Sequence, residues 1–484
     1  MDSEKILVGW SEVNITPDQQ VCLCGQFHAR VSEGVKDPIT ATILVLEATK
    51  KNGCKHAVMV SCDFVAIPAA FKKAVVEKTK TLVPEIDETS IIMNATHTHA
   101  APEPGSDILG GTPGLDIKEI YGVELPVMKI TDYIDFAASK IAHGIQNAWE
   151  KRKETGIGYG LGYAVVGYNR RVSYYDGSSV MYGKTNDPQF SHIEGYEDHT
   201  LNIMGTWDSQ KNLTGLIVNI ACPSQVDEHL FEISADYWHD VKKELRRRFG
   251  ENIFILAQCS AAGDLSPHIL LCRQAYERMW NLSGRSERQD IAVRIADGIQ
   301  RSLGDIEKDI KWQLEFAVVS KKLRLQGFSC SAKDLRQFSK EAAKFRKEYE
   351  RLKKQIENNP EIMKQPRWYR DMTYHYRKYR WFQSCVEREK NKNVQVEVHV
   401  VRLGDIVFAT NPFELYVDYG IRIKAQSKAV QTFIVQLAGG GTYLPTERAV
   451  KGKSYGAIGP SCMVGPEGGR QLVEKTLEII NNLW

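Results

Sequence analysis

Asn94-Ala-Thr-His-Thr-His-Ala-Ala-Pro-Glu103 follows directly on Thr89-Ser-Ile-Ile-Met93, a short apolar run with the composition of a buried strand. The two stretches together read as a chain leaving a sheet and presenting His97 and His99 at the strand's end. Residues two apart on an extended segment point to the same side. Two imidazoles on one side, followed by Pro102 and Pro104 that disfavour a helix, form a mount for a metal ion. Two histidines satisfied by hydrogen bonds in a loop give the same pattern, so the choice falls to the other polar clusters along the chain.

On either side of that stretch the pattern is of strands alternating with helices. Candidate strands are Ile6–Val13, Ala41–Ala48, His56–Phe64, Ser90–Ala95, Ile157–Val166, Leu201–Trp207, Leu213–Cys222, Ile253–Gln258 and Trp312–Ser320. Helical spacing fits Pro68–Leu82, Thr131–Lys151, Asp236–Phe249 and Arg285–Leu303. Strands resume at Val394–Val401, Ile406–Thr410 and Thr432–Leu437. Buried and alternating strands together predict an α/β fold, mixed β-sheets covered by helices. The catalytic domain is expected over 1–327 and 393–484, with an insertion at 328–392.

Within that insertion, Leu335, Phe338, Ala342, Phe345, Tyr349, Leu352 and Ile356 recur at coiled-coil spacing. After Asn358-Asn359-Pro360 a second run, Trp368, Met372, His375, Tyr379, Phe382 and Val386, repeats it. Two seams and a Pro-containing turn predict an antiparallel helical hairpin. Residues 333–392 hold 18 Lys and Arg against 9 Asp and Glu, an excess of +9 in a chain of net charge +3. A basic, aromatic hairpin suits a roof over a site for an anionic substrate, or a contact between copies of the chain as a homo-oligomer.

The 484 residues are 43% hydrophobic and 25% charged, the balance of a soluble chain with ample core. The small net charge gives no reason to expect nucleic acid. No apolar run approaches the roughly 18 residues of a membrane span. The N-terminus lacks the pattern of a secretory signal, and the ten cysteines are scattered with no CxxC. A reducing cytoplasm is therefore expected.

Five fragments sit at or near predicted strand ends: Thr96-His-Thr-His99, Ala221-Cys-Pro-Ser224, Gly263-Asp-Leu-Ser-Pro267, Pro412-Phe-Glu414 and Thr442-Tyr-Leu-Pro-Thr446. Their imidazole, thiolate, carboxylate and phenol groups are all zinc ligands. Ala438-Gly-Gly-Gly-Thr-Tyr443 lets backbone approach something closely, and it is not a P-loop. His229, Asp236 and His239 form a rival metal cluster, or the solvated start of one helix.

From about Val8 to Pro460 these fragments resemble the neutral, non-lysosomal ceramidase family, as a divergent, bacterial-type member. Val8-Gly-Trp-Ser-Glu-Val-Asn-Ile-Thr-Pro17, Ser61-Cys-Asp63, Asn169-Arg170-Arg171, and Tyr443 with Tyr455 resemble its further landmarks. The resemblance implies one Zn2+ held by His97, a second His, Glu414 and Tyr443, and a zinc-bound water attacking an amide. It also implies His99, Ser266, Asp264 and Tyr455 among the catalytic groups. Asn169, Arg170, Arg171, His268 and Asp63 would then contact a small-molecule substrate.

Three departures follow. The family's second zinc His falls, by its spacing from Asp236, on Cys222, so a thiolate is expected in its place. Ser266-Pro-His268 stands where the family has Ser-Pro-Asn. Tyr455 lies so near Trp484 that no β-sandwich domain is expected to follow. The expected reaction is therefore hydrolysis of an amide on a small, polar acylated substrate such as an acylated sugar. The alternatives are a zinc-dependent glycosidase using Asp63, Glu103 or Asp264, and a non-catalytic binding protein on a decayed scaffold.

Overall fold

The computed structural model describes residues 3–50, 53–105, 114–388 and 393–484. Three sheets share one central core. The first runs in the order Gln313–Leu314, Glu4–Asn14, Thr40–Lys50, Gly53–Cys62, Ile91–Ala95, with Lys153–Glu154 paired to Glu4–Asn14. The second runs Phe254–Cys259, Leu213–Ile220, Thr200–Trp207, Gly156–Tyr163, and the third Phe316–Gln326, Asn393–Leu403, Ile406–Thr410, Gln431–Val435. Each is antiparallel except for one terminal pair. Gly53–Cys62 with Ile91–Ala95, Leu213–Ile220 with Phe254–Cys259, and Ile406–Thr410 with Gln431–Val435 are parallel.

The strand alternation explains how the sheets pack. Val58, Val60 and Cys62, with Ile91 and Met93, face the helices Ala69–Leu82 and Ile130–Glu150. Their neighbours Ala57, Met59 and Ile92 face inward, onto Ile217 and Leu256 of the second sheet and Phe408 and Phe433 of the third. Tyr237–Phe249 and Glu287–Ile306 cover the second sheet's outer face, and Val417–Gln426 and Pro466–Asn481 the third's. Ile130–Glu150 buries Ile134, Ala137, Ala138, Ile141, Ile145 and Ala148, the one-sided stripe its spacing predicts. All six parallel strands end toward one region, where α/β sheets hold their ligands. A short helix, Arg273–Ser283, was not expected from the sequence; Ala275, Tyr276, Met279 and Trp280 give it a short apolar stripe, yet none of its residues is buried.

The basic segment forms two helices, Ala332–Asn358 and Arg370–Glu387. A capping box between Ser331 and Asp334 starts the first. Their seam is aromatic: Phe345 stacks on Phe382 at 5.9 Å, and Tyr349 meets Tyr376 at 5.0 Å. The second helix has another buried face, Thr373, Arg377, Trp381 and Cys385, which packs on the body of the protein. Thr373 Oγ1 accepts from Ala29 N, and Tyr369 Oη just before the helix accepts from Val31 N. This second helix lies down along one side of the protein.

Candidate active site

His97 follows Ile91–Ala95 with φ at +71°, a left-handed conformation rare for a non-glycine residue. His97 N–H donates to Phe64 O at 2.8 Å, and Nδ1 lies 2.7 Å from Val65 O. That carbonyl can only accept, so the Nδ1 proton faces it and the Nε2 lone pair faces the other way. Nε2 lies 3.4 Å from Glu414 Oε2 and 3.4 Å from His99 Nε2.

Glu414 follows the third sheet's strand Ile406–Thr410. A short bridge pairs Glu414–Leu415 with Tyr443–Leu444 in parallel, making Glu414 and Tyr443 register partners. The glycines of Ala438-Gly-Gly-Gly permit this: a Cβ on Gly441 would sit 2.1 Å from Pro412 O. Burial, then the Glu414 carboxylate, pushes the Tyr443 phenol well above its ordinary range.

Arg170, 2% exposed, ties these parts together. It donates to Tyr182 Oη at 2.7 Å, Gln225 Oε1 at 3.1 Å, Gly263 O at 2.9 Å and Tyr443 Oη at 3.3 Å. Its Nη2 stands 3.9 Å from Glu414 Oε2. Because Gln225 turns its oxygen to Arg170, its Nε2 faces His99 Nε2 at 2.8 Å. His99 thus accepts there and carries its proton on Nδ1, which faces Glu228 Oε2 at 3.6 Å. Burial, then His97, holds the His99 pKa well below the usual histidine range, so the ring is neutral.

Donors about 2.0–2.1 Å from a shared tetrahedral ion lie about 3.4 Å apart, the spacing of His97 Nε2 and Glu414 Oε2. An imidazole whose far N–H is spent on a carbonyl is the usual form of a histidine ligand. Among the described residues no three His, Cys, Asp or Glu form a metal cage. The imidazole, carboxylate and phenol of His97, Glu414 and Tyr443 are donor types that zinc accepts, and these are the residues that could hold one.

No protein-family model matches the sequence, and no curated protein matches it significantly. Solved structures do. Neutral ceramidase from Pseudomonas aeruginosa superposes with a TM-score of 0.69 at 14% identity, over 100% of this chain and 75% of that one. A ceramidase complexed with C2 superposes with a TM-score of 0.67 at 14% identity, over 99% and 75% of the two chains. The chain has the neutral ceramidase fold.

Against the ceramidase motif, Cys222 is misplaced as a ligand. It is fully buried in the apolar layer of the second sheet with Tyr237 and Trp238, and its Sγ donates to Val166 O at 3.3 Å. Burial pushes its thiol well above the ordinary value. Its loop brings Gln225 to the site instead. Asp264 and Ser266, expected among the reacting groups, hold the loops that frame them. Asp264 accepts from Val417 N and Asn169 Nδ2, and burial raises its carboxyl to about 7. Ser266 Oγ accepts from Tyr182 Oη at 3.1 Å and from His268 N at 3.0 Å.

The expected substrate contacts divide in the same way. Arg170 and His268 border the site; His268 Nε2 is 3.3 Å from Glu228 Oε1. Asn169 is spent on Asp264, and Arg171 on Glu194 and the carbonyls of Ala449, Lys453 and Tyr455. Asp63 supports the histidine loop from behind through Thr96 Oγ1 at 3.3 Å and lies 3.6 Å from Lys242. Tyr455 stacks edge-on to Tyr443 at 5.4 Å and walls the site. The rival cluster is dispersed: Asp236 accepts from three backbone N–H groups, while His239 lines a separate cleft. Gln225, Glu228 and Tyr182 were missed. The only signal was a polar run, Ser224-Gln-Val-Asp-Glu228, directly after a core strand.

Proposed function

We propose that this chain is a metal-dependent hydrolase that cleaves the amide of a small, polar acylated substrate. One observation carries the reading. His97 Nε2, its tautomer set by Val65 O, lies 3.4 Å from Glu414, and Glu414 is the register partner of Tyr443. A zinc ion held by these three residues would polarise the scissile carbonyl. Everything else needed comes from the chain itself. His99 is neutral, with its lone pair on the side of the His97–Glu414 pair, and it takes the proton at Nε2 once the Gln225 amide gives way. Glu228 steadies the resulting imidazolium: against the pull of burial, His268, His99 and His229 hold its carboxyl down at about 2. Arg170 keeps its charge beside Tyr443 and Glu414 and offsets negative charge developing on the carbonyl oxygen.

The carboxylates named for the glycosidase alternative do not work together. Asp63, Glu103 and Asp264 are engaged separately, with Thr40, Tyr121 and Asn169. The test is the metal content of protein purified without added metal, together with acid release from a panel of N-acyl amides beside p-nitrophenyl glycosides. About one zinc per chain and amide cleavage lost in His97→Ala are expected. Less than half an equivalent of metal with no amide cleavage would sink the proposal.

A further inference from the structure

The hairpin's second helix carries a lysine toward the site's edge. Lys378 Nζ sits 4.0 Å from the centre of the Phe27 ring and 4.3 Å from that of Trp381. Both rings pack on Tyr455, at 6.0 and 5.9 Å, and Tyr455 packs on Tyr443. The ammonium therefore stands two rings from a proposed metal ligand.

Proteins that bury an ammonium usually give it a carboxylate. The preceding residue, Arg377, also a buried cation, follows that rule and lies beside Glu103. Lys378 has no carboxylate partner among the described residues, and only aromatic faces surround it. Burial alone pushes it down to about 8, which leaves it protonated at neutral pH. His28, next to Phe27, is pushed down to about 4 by burial and then by Arg370 and Arg30. The site's acid Glu228 already faces His99, His229 and His268.

We propose that Lys378, set between Phe27 and Trp381, is a subsite for a negatively charged group on the substrate, so that the cleft takes acyl amides bearing an oxyanion such as a carboxylate. The proposal rests on reading the His97–Tyr443 cleft as the substrate site, and it narrows the substrate class. A charged oxygen there pairs with the ammonium while its apolar neighbours lie on the rings.

The probes are N-octanoyl-8-aminooctanoate, whose chain separates the carboxylate from the amide by about the width of two rings, and its neutral twin N-octanoyl-8-aminooctanamide, titrated calorimetrically into the full chain, with octanoate release followed in parallel. Wild type should bind the carboxylate compound at least about tenfold more tightly than the amide. Lys378→Met should lose that preference while binding the amide unchanged, and Lys378→Arg should keep part of it. Lys378→Gln serves if the Met variant melts early. Equal affinities in wild type, a preference that survives Lys378→Met, or no binding of either probe overturns the subsite. A preference that depends on Lys378 without octanoate release leaves the subsite standing and removes the proposed reaction. Release from both probes without preference does the reverse.

Discussion

Cys222→Ala separates a core thiol from a metal ligand. The side chain is fully buried between the second sheet and its helices, and its Sγ faces Val166 O at 3.3 Å and Pro223 O at 3.6 Å. Treating the sulfur as a methyl-sized apolar group, its removal forfeits about 0.8 kcal/mol of transfer energy. A residual cavity of roughly 20–25 Å3 adds about 0.5 kcal/mol. With the weak S–H···O bonding, the loss is about 1.5–2 kcal/mol, enough to lower the melting point of a chain this long by roughly 1.5–2 °C. Metal content should not change. Loss of even an outer partner of a zinc ligand costs about 10–100-fold in affinity, and loss of a ligand costs more. Elemental analysis and urea unfolding of wild type, Cys222→Ala and Glu414→Gln decide the matter. If Cys222→Ala keeps its fold and loses its metal as Glu414→Gln should, the placement of Cys222 in the core is wrong.

Glu228→Gln should lower kcat about tenfold or more and move the acid limb of the kcat–pH profile to lower pH, because the carboxylate is what raises the His99 pKa against burial; an unmoved limb would remove His99 as the base. Arg170→Lys should lower kcat by about 100-fold or more with little change in KM, since an ammonium cannot reproduce four donor contacts at once; kinetics within threefold of wild type would refute this. His399, 1% exposed, is pushed down to about 4 by burial and then by Lys72. Its folded pKa lies below the ordinary 6.5, so its contribution is complete above pH 6.5 and is lost as pH falls toward 4. The loss amounts to about 3 kcal/mol at most. Unfolding of wild type and His399→Gln between pH 4 and 7 should converge in acid, and parallel curves would contradict the assignment.

The sheets were legible because strand alternation survives in the sequence: Ala41–Ala48 was read where Thr40–Lys50 forms, and Ile406–Thr410 was read to its ends. The placement of His97, Glu414 and Tyr443 just beyond strands was legible for a related reason, since each follows an apolar run that fixes where the loop begins. Cys222 was misread because its role was inferred from a spacing to Asp236 across an irregular loop, where no periodicity says which side chain turns inward. Gln225 and Glu228 lie on that same loop and differ in nothing from solvated polar residues. Asp264 and Ser266 illustrate another limit: short polar side chains at a turn bond their own loop as readily as a substrate. On the hairpin, the face on the protein body includes Thr373 and Arg377, which do not read as apolar, so the contact was invisible and only the aromatic seam showed.

The meeting of three sheets at one place has a consequence for how the protein is made. His97, Arg170, Gln225 and Glu414 join only when segments from nearly the whole length of the chain have docked, so the central contacts of His97 and Arg170 with Glu414 link residues very far apart in sequence. Loop-closure entropy places such contacts late in folding. Each helix-covered sheet is free to collapse early on its own apolar layer, while the catalytic geometry waits for the last of them. During refolding, helical signal should return first and hydrolysis last. No fragment holding one or two of the sheets can serve as a minimal enzyme.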